Sequence, residues 1–226
     1  MTQHRKGLVL DFGGVLTTPL VPAAFAFERR AGLAEGTLLT GLYLDPEAIR
    51  LTEELERGGL TQTQWNEAAA TRLGIPPDNL MGRIFADLRP EPTMIAAAAA
   101  ARRAGIKVGI LSNSVGLEPW NLYDGYDLET RYDALVLSEA HGTRKPEPDI
   151  FRIVLRELGL TAEECVFVDD TEQHLPPAAE LGFATVHAVH PAQTVAALEA
   201  LLGIPLTDET PDQDQDQHKD PDRVTL

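Results

Sequence analysis

Four short stretches hold the residues that could do chemistry together. In "LVLDFGGVLTTP" an aspartate, Asp11, closes an apolar run and is followed at once by Phe12-Gly13-Gly14. A carboxylate leaving the C-terminal end of a strand into a glycine turn sits where open α/β sheets bind ligands. "VGILSNSVG" sets a hydroxyl and an amide, Ser112 and Asn113, at the end of a second run. "GTRKPEPDIF" places Lys145 ahead of Pro146, whose ring keeps the preceding backbone extended. "CVFVDDTEQH" ends a very apolar run on two consecutive acids, Asp169 and Asp170. By itself each stretch has an ordinary structural explanation. Asp11 opens a turn, Ser112 and Asn113 form another, Lys145 is a surface cation, and one acid of the pair caps a helix. Four such stretches in order at four strand ends make a different pattern. Two adjacent carboxylates converging with Asp11 repel one another unless a cation lies between them. A hard ion with oxygen ligands, Mg²⁺, resolves that conflict.

These side chains meet only if the strands that carry them end on one edge of one sheet. Five short runs read as strands: Gly7–Leu10, 106–111, Ala134–Leu137, 165–168 and Ala184–His187. Most are continuous apolar runs, as expected of parallel strands covered on both faces. Helical patterns fall between them at 93–104, Pro148–Leu158, 174–181 and 192–202. Alternating strands and helices predict an α/β protein with a parallel sheet. More than ninety residues separate the first two strands, and those from 21 to 88 read as helices only, at 22–30, 36–42, 46–57, 62–73 and 77–87. A crossover needs far less chain, so an inserted helical subdomain is expected at 21–88, with the core formed by 1–20 and 89–205.

Of 226 residues, 43% are hydrophobic and 24% charged, and one is cysteine. That size supports one domain with an insertion, and a lone cysteine excludes a disulfide scaffold or a cysteine zinc cluster. Residues 206–226 are expected to form a disordered acidic tail, since 207–226 carry seven acids against Lys219 and Arg223, −5 of the chain's formal −16. A pI near 4.7 argues against nucleic acid or an anionic membrane as partner. The polar first six residues and the short run behind them do not read as a signal peptide, so a cytoplasmic protein is expected. Oligomeric state leaves no signal.

Together the four stretches resemble the haloacid dehalogenase-like hydrolase superfamily, over about residues 7–203. The pattern "FGGVL…LSNS…GTRKPEPDIF…FVDD" is most similar to a subgroup of sugar-phosphate phosphatases and epoxide hydrolase N-terminal phosphatase domains, and "LERGGLTQTQW" is similar to cap sequences of that subgroup. The resemblance implies a Rossmann-like three-layer core with an α-helical cap, and Mg²⁺-dependent hydrolysis of a small phosphorylated metabolite. It makes Asp11 the nucleophile that forms an aspartyl-phosphate. It has Asp11, the Gly13 carbonyl and Asp170 hold the metal, with Asp169 acting through water or as a further ligand. Ser112, Asn113 and Lys145 would bind the phosphate. The charges agree, because a carboxylate attacking a phosphate dianion needs positive charge beside it.

Two positions depart from the superfamily pattern. Gly13 stands where many members carry a second aspartate as general acid, which argues against a phosphomutase and predicts a preference for good leaving groups. His174 stands where Asn or Asp is usual; it reads as the start of a helix with a local hydrogen bond and no catalytic role. Trp120 and Tyr123 either border the entrance or pack their loop, Trp65 reads as core, Arg29 and Arg30 as solvated, and Cys165 as packing. Two other functions fit parts of the sequence. A 2-haloacid dehalogenase shares the nucleophile, but its fourth strand usually lacks paired acids. A catalytically weak ligand-binding or regulatory member would suit Gly13 and the tail.

Overall fold

β1 (Gly7–Leu10), β2 (Lys107–Ser112), β3 (Ala134–Leu137), β4 (Cys165–Asp169) and β5 (Ala184–His187) form one parallel sheet, in the order β3-β2-β1-β4-β5, in the computed structural model, which describes residues 5–207. Leu10 pairs with Ile110 on one side and with Val168 on the other. That register sets Asp11 level with Asp169, and the Asp11 amide donates to the Val168 carbonyl at 2.9 Å. Side chains alternate across the sheet, so each strand feeds two cores. Leu8, Leu10, Val108, Ile110, Val166 and Val168 pack under α5 (Pro92–Arg103) and α9 (Pro191–Leu202). Val9, Leu111 and Phe167 pack under α7 (Pro148–Leu158) and α8 (Leu175–Glu180). The result is the expected α/β core of three layers.

Between β1 and α5 the chain forms α1 (Leu20–Ala31), a π-helical turn (Leu39–Leu44), α2 (Pro46–Glu56), α3 (Gln62–Leu73) and α4 (Leu80–Ile84). These helices bury their own cluster around Phe27, Leu38, Leu42, Leu55 and Trp65. Asp45 caps α2 by accepting from the amides of Glu47 and Ala48, and Thr61 with Gln64 forms a capping box on α3. The chain enters and leaves this layer through one neck. Thr17 bridges Pro90, the Thr18 amide donates to the Arg89 carbonyl at 2.8 Å, and the Glu91 amide donates to Leu16 at 2.9 Å.

Several boundaries differ from the sequence expectation. β2 and β4 end on Ser112 and Asp169, one residue beyond the last apolar position, because both still pair in the ladder, with Leu137 and His187. The helix expected at 36–42 is instead the π-helical turn, and the one at 77–87 shortens to α4. Leu206, placed in the expected tail, belongs to the core. Leu206 is 3% exposed against α9, and its amide donates to Glu199 Oε1 at 2.7 Å. The rest of the expected tail, from residue 208, lies outside the described residues. Among the described residues, no helix is long and apolar enough to cross a membrane.

Candidate active site

The ends of β1, β2 and β4 bring the predicted residues to one edge of the sheet. Lys145 is fully buried, and its Nζ lies 2.7 Å from Asp11 Oδ1 and 2.7 Å from Asp169 Oδ2. The Phe12 amide also donates to Asp11 Oδ1, at 2.7 Å, so that oxygen is occupied and Oδ2 is the one left to react. Gly14 turns the chain away with φ +72°, and a Cβ there would collide with the Asp170 carboxylate. This turn therefore requires glycine both for its backbone conformation and for its space. Gly13 is different: a Cβ would meet Leu20 at 3.4 Å, an ordinary contact.

Oxygen atoms of Asp11, Asp169 and Asp170 lie within 4.8 Å of one another. Burial, with repulsion from Asp169 and Asp170, pushes Asp11 up to about 8 against the pull of Lys145. Burial also acts to raise Asp169, but Lys145 and His174 outweigh it and hold that carboxyl at about 2. Asp170 is raised by burial and by Asp169. Lys145 keeps its proton, because Asp11 and Asp169 overcome the effect of burial. Three carboxylates against one ammonium leave this pocket short of positive charge, and the donor set is all oxygen, as a hard divalent cation requires.

The two acids of the pair are not equivalent. The Thr171 amide donates to Asp169 Oδ1 at 2.8 Å, and His174 Nδ1 lies 3.0 Å and 3.1 Å from its two oxygens. With Lys145 on Oδ2, both Asp169 oxygens are engaged by the protein. Among the described residues, Asp170 receives only the Thr171 hydroxyl, at 3.2 Å. His174 thus makes the local bond expected of it, on a residue that holds Lys145.

Ser112 is 3% exposed, and its Oγ accepts from the buried Tyr123 hydroxyl at 2.9 Å, which leaves the serine proton free to donate. Tyr123 packs edge-on against Phe12, 4.7 Å between ring centres. Asn113 has a role the sequence did not suggest. Its Oδ1 accepts from the Lys145 amide at 2.8 Å and its Nδ2 donates to the Lys145 carbonyl at 3.1 Å. The side chain clamps the lysine backbone.

Above this floor lies a cleft of about 650 Å³, closed by the helical layer. Its upper wall is apolar, with Leu42, Ile49, Trp65, Ile84, Phe85 and Trp120. Trp120 stacks on Phe85 at 6.1 Å, so it borders the cleft rather than only packing its loop. Gln62 bolts α3 to that loop: the Trp120 amide donates to its Oε1 at 3.0 Å, and its Nε2 donates to the Trp120 carbonyl at 3.0 Å. Trp65 belongs to the core of the helical layer as expected, yet also lines the cleft. Arg30 pairs with Asp87 at the surface, and Cys165 is buried packing.

Sequence reasoning passed over Glu56 and Arg144, which also line the cleft. Arg144 Nε donates to Glu56 Oε2 and its Nη1 lies 3.3 Å from Glu53 Oε1. Arg57 pairs with Glu147 at 2.6 Å. The position of Arg144 beside Lys145 and the "LERGG" stretch were the available signals; neither shows which groups face each other across a cleft.

A family model described as haloacid dehalogenase-like hydrolase matches residues 5–182. Mouse bifunctional epoxide hydrolase 2 is 27% identical over 211 residues, covering 85% of this chain and 38% of that protein. The sesquiterpene phosphatase of Aspergillus oryzae is 23% identical over 203 residues, covering 88% and 97%. The (S)-2-haloacid dehalogenase of Xanthobacter autotrophicus is 30% identical over 141 residues, covering 60% and 55%. The chain spans between 19% and 38% of the length of the first curated relatives it matches. Among solved structures, a HAD family enzyme of Bacteroides thetaiotaomicron, an aspartate-to-alanine mutant with magnesium and inorganic phosphate, aligns with a TM-score of 0.62 at 21% identity, covering 81% of this chain and 93% of that one.

Proposed function

This chain belongs to the haloacid dehalogenase-like hydrolases, and on that premise we propose that it is a Mg²⁺-dependent phosphomonoesterase working through Asp11. One observation carries the reading: three carboxylates converge on a single buried ammonium. A phosphate dianion entering that pocket meets a net negative charge unless a divalent cation is present. Asp11, Asp170 and the carbonyl of Gly13 are the groups that would hold it, with Asp169 behind them as the anchor of Lys145. When bound, Mg²⁺ supplies positive charge to the phosphate oxygens and to the carboxylates around it.

The chain's own residues supply the rest. Asp11 Oδ2 is aimed to attack phosphorus, while Lys145 and the Phe12 amide fix the other oxygen. Lys145 and the Ser112 hydroxyl offer donors to the transferring oxygens, and Asn113 keeps the Lys145 backbone in place. Covalent transfer to Asp11 followed by hydrolysis splits one hard displacement into two easier ones. The apolar upper wall supports a substrate with an apolar organic body, and the likeness to the Aspergillus sesquiterpene phosphatase agrees with that class.

Phosphate release should be measured across apolar alkyl and aryl phosphates and sugar phosphates, with Mg²⁺ and with chelator. Mg²⁺-dependent release, strongest for the apolar esters, is expected. Halide release from 2-haloacids in the presence of chelator would instead establish the dehalogenase reading.

A further inference from the structure

Gly13 leaves the nucleophile's own loop without a group that can protonate the departing oxygen. We propose that Glu56, at the C-terminal end of α2, is the catalytic acid that supplies this proton; the proposal rests on the phosphomonoesterase reading above.

Glu56 lines the same cleft as Asp11 and Gly13 and is carried there by the helical layer. Its backbone is fixed over the site. The Ser138 hydroxyl donates to the Glu56 carbonyl at 2.6 Å and itself accepts from the Ser114 amide at 2.9 Å, two residues past Ser112. Two residues on, Gly58 (φ +73°) passes so close to the Glu139 carbonyl that a Cβ would collide with it. Arg144 engages Oε2 of Glu56, which sets the direction of the other oxygen.

Enclosure favours a proton on this carboxyl, against the pull of the cations around it. Two guanidiniums, Arg144 and Arg57, serve three carboxylates: Glu53, Glu56 and Glu147. Glu56 is the most enclosed, with its side chain 13% exposed against 36% and 38% for the other two. The groups that face it are Glu53 on its own helix, Tyr43 in the π-helical turn, Arg144 and Lys145 ahead of α7, and His174 ahead of α8. Burial raises Glu56 above the usual carboxylate range, although Arg144 opposes it. A phosphate dianion in the cleft adds negative charge and pushes the same way.

In the first step the Asp11 oxygen bonds to phosphorus, the ester P–O bond breaks, and the Glu56 proton passes to the leaving oxygen to give the alcohol. In the second, water attacks phosphorus, the bond to Asp11 breaks, and Glu56 recovers a proton from that water as hydrogen phosphate forms.

The test compares an alkyl phosphate with 4-nitrophenyl phosphate, whose phenolate departs unprotonated, in single-turnover kinetics. Turnover of the aryl ester, lost in Asp11→Asn, tests the phosphomonoesterase reading alone. Glu56→Gln keeps the acceptor for Arg144 but cannot donate the proton. It should slow the alkyl ester about 10²–10³-fold, in the range of general acid catalysis, and the aryl ester by less than about 3-fold. Equal losses on both esters, or no loss on the alkyl ester, would overturn the proposal. Carboxyl NMR of the resting wild-type protein should find Glu56 titrating above the ordinary carboxylate range, and a midpoint inside that range would also overturn it.

Discussion

At the scale of single residues, the site is arranged around an oxygen left free and a charge left unbalanced. Asp11→Asn should fold normally and lose turnover, since an amide keeps the shape but forms no acyl-phosphate. Thermal melting and phosphate release check this, with mass measurement to exclude deamidation; substantial activity in a verified variant would remove Asp11 as nucleophile. The raised Asp11 carboxyl gives a second expectation. Its folded value, about 8, lies above the usual 3.8, so below pH 8 the metal-free protein holds a proton that must leave before the oxygen can bind a cation. Mg²⁺ affinity should therefore rise with pH, by at most about tenfold per unit, and flatten above about pH 8. Calorimetry at pH 7 in two buffers of different ionisation enthalpy should show proton release, and identical heats in both would contradict it. Asp11, Ser112 and the acid pair were legible in the sequence because each closes an apolar run, and strand ends in a parallel sheet share an edge; Lys145 was legible from the proline that follows it. The clamp made by Asn113 was not legible, for a physical reason. Its neighbour in sequence is a site residue, but its amide matches a backbone 32 positions away, and no local pattern encodes that pairing.

Elements come next. The strands were readable to within a residue because burial on both faces leaves continuous apolar runs, and the slips occurred where a polar residue still pairs in the ladder. The helical layer was readable as helical from its patterns and as an insertion from its length, but its contacts were not. Gln62 carries no hydrophobic signal, yet it is 2% exposed and brackets Trp120 from both sides. Gln62→Leu should strand the Trp120 amide and carbonyl. Leaving buried polar groups unmade costs about 1–3 kcal/mol, or a fall of about 2–4 °C per kcal/mol for a protein of this size. The same change frees the Trp120 wall, so KM for an apolar ester should rise several-fold while kcat moves little. A melt together with a kinetic comparison checks both; an unchanged melting temperature would mean that Gln62 is not a bolt between the layers.

For the whole molecule, how much of the C-terminal segment supports the fold is testable. Removing everything after Thr207 should leave the melting temperature nearly unchanged. Removing everything after Pro205 also deletes Leu206, which is 3% exposed. Burial of such a side chain is worth about 1.5–3 kcal/mol, so the shorter protein should melt several degrees lower. Equal melting points would show that Leu206 contributes nothing to the fold. The neck at Thr17 and Pro90 bears on the molecule's history and its redesign. The outgoing and returning chains lie side by side, joined by the Thr18–Arg89 and Leu16–Glu91 hydrogen bonds. A segment spliced in at that point can be lengthened, shortened or exchanged for another at an entropic cost that grows only slowly with its length. The register that levels Asp11 with Asp169 lies wholly outside it. Inheritance can therefore alter which molecules are admitted, and which acid serves the leaving group, in one stretch of the gene while Asp11, Ser112, Lys145 and the acid pair stay in the others, and a recombination library with junctions at 17 and 90 would sample the first while leaving the second untouched.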